Sequence, residues 1–432
     1  MKVAVVGSGV SGLATAFALR GVARVVVYEA ERRVGGHANT VEIDYDGASI
    51  AVDTGFIVFN RRNYPNLTAL FERLGVRTVP SDMSFSVQAE GLEWGSDLPG
   101  GLIGPALARP DYRRMLADAA RFNLRVSRDL DAGRLKGRSL ADYAAEAGFS
   151  DAFARLYLAP MTAAIWSVDP QGALKFPAES VARFYVNHAL GELFPPRWRT
   201  VAGGSATYLR ALEPATEAEF RTGRRVVQAR RGAHGIEVTD DRGGSDRFDH
   251  VVFACPPDRA LACLDDADAE ERERLSGFGF GDNTVVLHRD PRFMPRRRAA
   301  WASWNVRGSA VTYWMNRLQG IDPSRPLFVT LEPDAEIAPE HVFSRHAYRH
   351  PWFDAASLKA RDGFDQIQGR GGVWHAGAWL GYGFHEDGLT SGLRVGLALG
   401  GRAPWTVDLA RHGGPLAAPR AATERSHDAV AA

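Results

Sequence analysis

Lysine is almost missing from this chain. There are four, Lys2, Lys136, Lys175 and Lys359, among 52 basic residues. Arginine carries the positive charge, and 51 acidic residues bring the net charge to +1. No long-range field is left to gather nucleic acid or an acidic partner. Cysteine is scarcer still. Cys255 and Cys263 cannot build a disulfide framework, and their low number fits a reducing compartment. Beyond the first residues no stretch offers 18 uninterrupted apolar residues, so no spanning helix is expected. These absences point to a cytoplasmic protein, attached to the inner membrane face at most. A length of 432 residues leaves room for a large core and two domains.

The most informative stretch runs from Val3 to Glu29. Val3 to Val6 is a short apolar run that reads as a buried parallel strand. Gly7, Gly9 and Gly12 follow with G-x-G-x-x-G spacing, and Ser11 to Arg20 is rich in the helix formers Ala and Leu. Arg24 to Tyr28 is a second strand, with Glu29 at its carboxyl end. A dinucleotide site needs this order. Gly7 permits the tight turn, Gly9 lets backbone approach a pyrophosphate, and Gly12 lets the helix pack on the strand. The pyrophosphate meets the free N–H groups of the helix, and Glu29 accepts from ribose hydroxyls. Lys2 followed by 17 uncharged residues has the look of a secretory signal. The three glycines, the missing cleavage site and the strand that follows exclude it.

Past Glu29, Arg33-Val34-Gly35-Gly36-His37 carries a glycine doublet that would let a longer ligand thread past the backbone. With this doublet the chain resembles the amine-oxidase-type FAD-dependent oxidoreductases. Most of that superfamily carry Arg after the doublet, where this chain has His37. The resemblance implies an α/β fold: a Rossmann-like FAD-binding domain with an inserted α+β substrate domain. It implies a discontinuous FAD domain of 1–80, 200–280 and 370–402, a substrate domain of 81–199 and 281–369, and a mobile tail at 403–432. It also implies cofactor contacts at Gly7, Gly9, Ser11, Gly12, Glu29, Ala30, Arg33, Gly35, Gly36 and His37. Further contacts follow at Thr54, Gly55 and Phe56, at Val226, and at Gly377, Asp387, Gly388 and Leu389. No metal is expected.

Several local elements follow from pattern alone. Ile43 to Phe59 reads as a hairpin turning at Asp46-Gly47, and Asn60 to Gly75 as a helix with Leu67, Leu70, Phe71 and Leu74 on one face. Asp111 to Leu130 and Ser139 to Ala147 read as helices, the second opened by Ser139 and Asp142. Ile236 to Val238 is expected to pair with Asp249 to Cys255. Thr284 to His288, Val311 to Trp314 and Leu327 to Leu331 read as strands of the substrate domain. Val373 to Ala376 is a short strand, and a helix is expected from about Gly388. Its free N–H groups, with Leu389 the donor by resemblance, would face the negative edge of a reduced flavin.

DTGFIVFNRRNYPNLTALFERLGV and YGFHEDGLTSGL closely resemble one bacterial branch of the superfamily. That branch includes desaturases of methyl-branched acyl chains, and fatty acid isomerases are more distant relatives. Phe184, Tyr185, His188, Leu190 and Phe194 suggest an apolar, aromatic-lined cavity suited to a lipid-like substrate. Removing a hydride and a proton from neighbouring carbons calls for a base, and His385 and His188 are the candidates. Lys175 is the only mid-chain lysine that could stand near the flavin. Arg292 to Arg298 with Trp301 and Trp304 would suit peripheral membrane contact. The expected activity is desaturation of a fatty acyl chain. The alternatives are a redox-neutral isomerase, an oxidase of a carotenoid, porphyrinogen or amine, and a non-catalytic flavin-binding partner.

Overall fold

Residues 1–97, 102, 104–166, 168–188 and 196–416 are described by a computed structural model of the chain. One layered unit comprises β1 (Lys2–Val6), α1 (Val10–Leu19), β2 (Arg24–Glu29), α2 (Pro65–Arg73), α3 (Ala206–Ala215), β3 (Glu219–Thr222), β4 (His250–Phe253), β5 (Val373–His375) and α4 (His385–Ala398). Its strands form one parallel sheet in the order β3-β2-β1-β4-β5. Val3, Ala4 and Val5 have no accessible surface, as a strand covered on both faces requires.

The strand around Ile236 pairs differently from expectation. Gly235–Asp240 lies between Val226–Gly232 and Ser245–Phe248 in a separate antiparallel sheet. Gly235, at a φ of 113°, closes the first hairpin. Asp240 closes the second by accepting from the backbone N–H groups of Arg242 and Gly244. The next strand, β4, is thereby free to join β1.

The other layer is a seven-stranded sheet. Its order is Val342–Pro351, Phe280–His288, Phe328–Leu331, Ala310–Trp314, Trp304–Arg307, Phe85–Ala89 and Leu92–Gly95. Every neighbouring pair is antiparallel except Trp304–Arg307 beside Phe85–Ala89. A helical block adjoins it, with Pro110–Asp131, Leu140–Glu146 and Ala178–Asn187. Ser139 and Asp142 form a capping box on the second of these helices.

The expected loose tail does not begin at position 403. Trp405 stacks on Phe17 with ring centroids 6.0 Å apart, and Asn66 bridges to the backbone of Asp408. Arg394 donates to the carbonyl of Gly414 and pairs with Asp365. Apolar contact and satisfied backbone hold residues 403–414 on α1, α2 and α4; residues 417–432 lie outside the described residues. No helix among the described residues is long and apolar enough to cross a membrane.

Candidate functional site

At the start of α1 the glycines divide their work. Gly7 has a φ of 107°, and a Cβ there would stand 2.5 Å from the carbonyl oxygen of Ala254. A Cβ on Gly12 would stand 2.0 Å from the carbonyl oxygen of Gly7. Around Gly9 a Cβ would meet nothing within 4 Å among the described residues. Gly7 and Gly12 are thus glycines for the protein's own packing, while the space at Gly9 is open at a helix N-terminus, as an anionic ligand needs. Leu13 makes the first helical bond, to Gly9, so the N–H groups just before it are not spent within α1.

Glu29 is held rigidly. One carboxylate oxygen accepts from the N–H and hydroxyl of Ser8, and the other from the N–H of Glu31. The glycine doublet is drawn to the same place: Gly35 N–H donates to the Ser8 carbonyl, and Gly9 and Gly35 form a parallel bridge. Arg33 donates to the carbonyls of Gly36 and Ala38, so its guanidinium shapes this loop. Ala30 is exposed beside Glu29, and Val226 is a buried strand residue whose carbonyl accepts from the Cys263 thiol. Cys255 packs partly buried against the core, and burial raises the pKa of its thiol.

A second group of residues comes from the loop at 37–56 and from α4. Phe56 N–H donates to the His37 carbonyl, and a Cβ on Gly55 would stand 2.0 Å from that oxygen. The Thr54 hydroxyl is engaged with Asn39 and with the Tyr348 hydroxyl. α4 begins at His385, three residues before the expected Gly388. Asp387 explains the earlier start, because its carboxylate accepts from the N–H groups of Tyr382 and Phe384 and locks the turn. Gly388 N–H is spent on the Phe384 carbonyl and Leu389 is fully buried in the second turn. Leu389 N–H therefore lies within the helix's own hydrogen-bonded turns and is not the free donor that the resemblance implies. Glu386 accepts from the N–H groups of Asn66 and Leu67 at 2.9 Å each, so it caps α2. Gly377 N–H donates to the Ser391 hydroxyl, and the Trp379 indole fills the space beside it.

Three histidines stand near this junction. His385 lies flat on Phe56, with centroids 3.9 Å apart and planes 10° from parallel, and Nε2 is 2.7 Å from the Tyr208 hydroxyl. His37 is 5.3 Å from His350 and 5.1 Å from Tyr348, centroid to centroid. His350 Nδ1 bonds Asn283 Oδ1 at 2.6 Å. Burial, then the proximity of His37, pushes His350 and His385 down to about 3, and burial also lowers His37. His37 is exposed and His385 half-buried, so both rings face space that the described residues leave open. The base role expected of His385 meets this obstacle: the ring is neutral near pH 7 but accepts a proton weakly.

The second expected base, His188, sits in the helical block. Its Nδ1 is 2.9 Å from the Phe184 carbonyl, and its ring stacks on Phe184 at 3.8 Å and lies 5.6 Å from Phe384, the neighbour of His385. Leu190 and Phe194 lie outside the described residues. Lys175 is exposed at the end of a short helix and does not join the site. The arginine-rich segment folds back on the protein. Arg292 pairs with Asp290, Arg298 stacks on Trp301 and Trp314, and Trp304 meets Tyr313 at 4.9 Å. Tyr208, His350 and Tyr348 were not singled out from the sequence, since each sits in an ordinary helix or strand pattern.

The geometry fits FAD: two helix N-termini, a glycine turn with open space at Gly9, and a fixed carboxylate at Glu29. The sequence profile of the flavin-containing amine oxidoreductases matches residues 10–318. No curated protein matches the chain. Among solved structures, cyclohexylamine oxidase from Brevibacterium oxydans is 18% identical with a TM-score of 0.68, over 92% of this chain and 98% of that one. Putrescine oxidase bound to putrescine is 17% identical with a TM-score of 0.66 over the same shares. A CLA-producing fatty acid isomerase from P. acnes is 16% identical with a TM-score of 0.64, over 90% of this chain and 96% of that one. With most of its length matched by the family profile, the chain belongs to the flavin-containing amine oxidoreductases and is an FAD-dependent enzyme.

Proposed function

We propose that this oxidoreductase removes a hydride from a lipid-like substrate and desaturates a fatty acyl chain, one with a methyl branch in the fullest form of the reading. FAD, when bound, supplies the acceptor for that hydride. The observation that carries the proposal is the aromatic wall beside His385. Phe384 stacks on Phe184 at 4.8 Å, Phe184 on His188, and His188 on Trp198. Such a wall suits a hydrocarbon chain. The nearby carboxylates of Glu386 and Asp387 are spent on backbone N–H groups, so neither is presented to a substrate ammonium. The likeness to the fatty acid isomerase supports an acyl substrate.

His188 is the proton acceptor in this reading. Its Nδ1 donates to the Phe184 carbonyl, which fixes the ring in place. The glycine loop and Glu29 bind and orient the cofactor, and the Phe56–His385 stack shapes the reacting end of the cavity.

The test is anaerobic flavin absorbance during addition of phospholipids with methyl-branched or plain unsaturated acyl chains. Bleaching by the branched lipid supports desaturation, and His188→Gln should slow it at least tenfold. An unbleached flavin with a moved double bond would replace the desaturase by an isomerase. Unaltered lipid would remove the acyl reading.

A further inference from the structure

Tyr208 lies in α3 with no accessible surface. Among the described residues its hydroxyl has one hydrogen-bond partner, Nε2 of His385. A phenol oxygen carries a single proton, and burying that O–H without an acceptor is unfavourable. Nε2 is the acceptor within reach, so Tyr208 donates and Nε2 accepts. The reverse arrangement, an Nε2–H donating to the phenol oxygen, would leave the Tyr208 O–H buried and unpaired. Burial also raises the Tyr208 pKa well above the usual phenol range, which keeps the proton on the oxygen.

A neutral imidazole holds one proton. With Nε2 accepting, that proton is on Nδ1. Nδ1 makes no hydrogen bond to the described residues, yet it is not sealed off, unlike both ring nitrogens of His375. The stack on Phe56 fixes the ring plane, and the Tyr208 hydroxyl fixes its rotation within that plane.

We infer that His385 serves as a hydrogen-bond donor rather than a base: Tyr208 holds its proton on Nδ1, and that N–H is presented to a carbonyl oxygen inside the cavity. Two sources offer this chemistry, the pyrimidine carbonyls of the bound flavin and the carboxyl or ester carbonyl of an acyl substrate. Tyr208 is a positioning residue, since it acts through His385. A fixed, neutral donor in a dry site stabilises negative charge as it gathers on an oxygen, with no reorganisation at that moment. The tautomer stands independently of the proposed acyl substrate; only the substrate carbonyl as acceptor rests on that reading.

The tautomer is directly observable. Holoenzyme labelled with ¹⁵N-histidine gives a two-bond ¹H–¹⁵N spectrum, and His385→Asn identifies the His385 signals. The expected pattern has a protonated Nδ1 and an unprotonated Nε2 at neutral pH. The mirror pattern would overturn the inference. In Tyr208→Phe the fixed pattern should give way to the Nε2–H form that imidazole prefers in water; an unchanged pattern would overturn the role of Tyr208. Should that variant fail to retain flavin, the wild-type spectrum still decides the tautomer. Displacement of the Nδ1 proton signal on flavin removal assigns the acceptor to the cofactor, and displacement on adding oleate to holoenzyme assigns it to substrate. A signal indifferent to both would overturn the donor role. Loss of the acyl reading, seen as lipid that neither bleaches nor changes, leaves the tautomer pattern untouched.

Discussion

Gly392 faces Ser11 so closely that a Cβ on it would stand 2.0 Å from the Ser11 carbonyl oxygen. Gly388 and Gly396, one turn to either side, meet Val10 and Ala18 in the same way. This glycine stripe lets α4 lie parallel on α1, and Thr15 adds a hydroxyl bond to the Gly392 carbonyl. Both helix N-termini therefore open on the same side of the molecule.

Two glycines of this region should fail differently when replaced. Gly392→Ala must push the helices apart, because its neighbour is backbone. It should cost about 1–3 kcal/mol of stability and reduce flavin retention. Gly9→Ala meets open space and a backbone angle that alanine tolerates, so the apoprotein should melt within a degree or so of wild type while flavin binding falls. Thermal melts of apo and flavin-loaded protein separate the two effects. Equal loss of apoprotein stability in both would contradict the division.

Asp53 makes stability depend on pH in an unusual direction. It is buried at the junction of the layers and accepts from Thr40, Ser205 and Gln319. Burial raises its pKa from 3.8 to about 6, against the lowering by those hydrogen bonds. The folded protein thus binds a proton more readily than the unfolded chain, and the stability Asp53 contributes is lost as pH rises through that interval. The change amounts to roughly 3 kcal/mol. Asp53→Asn should remove it, seen as a smaller gap between urea midpoints on the two sides of the interval.

His375 predicts the opposite slope. It sits at the end of β5 with no accessible surface, and burial followed by Arg231 pushes it down to about 3. The unfolded chain takes up the proton first, so stability falls as pH drops below about 6.5, by about 1.4 kcal/mol per unit. Neither ring nitrogen has a hydrogen-bond partner among the described residues, and the ring stacks on Phe253. His375→Phe should therefore match or exceed wild-type stability and resist acid better. A variant that melts lower at neutral pH would show that the imidazole is needed there.

Legibility in the sequence followed the range of each interaction. Gly7, Gly12 and Glu29 act within one β-α-β unit, and their spacing alone told their places. α4 starts before the expected Gly388 because Asp387 reaches back to Tyr382 and Phe384 and opens the helix earlier. The pairing of Ile236 was misjudged because an extra hairpin stands between it and β4. Tyr208 and His385 are 177 residues apart, and Glu386 caps a helix 319 residues away. No local pattern announces such partners, because only the folded packing brings them together. The docking of 403–414 was missed for a related reason: its composition is that of a loose segment, yet Trp405 and Asn66 supply the anchor.

The parallel seating of α4 on α1 also bears on how the protein is made. α1 is synthesised well before the glycine face that covers it, which begins at Gly388. At roughly 5–20 residues per second, α1 waits on the order of 20–80 s for its partner helix. β1 waits about two-thirds as long for β4 to cover its open edge. Flavin capture thus waits until α4 has been made, and a ribosome stalled before residue 385 holds a chain that cannot yet complete its cofactor site.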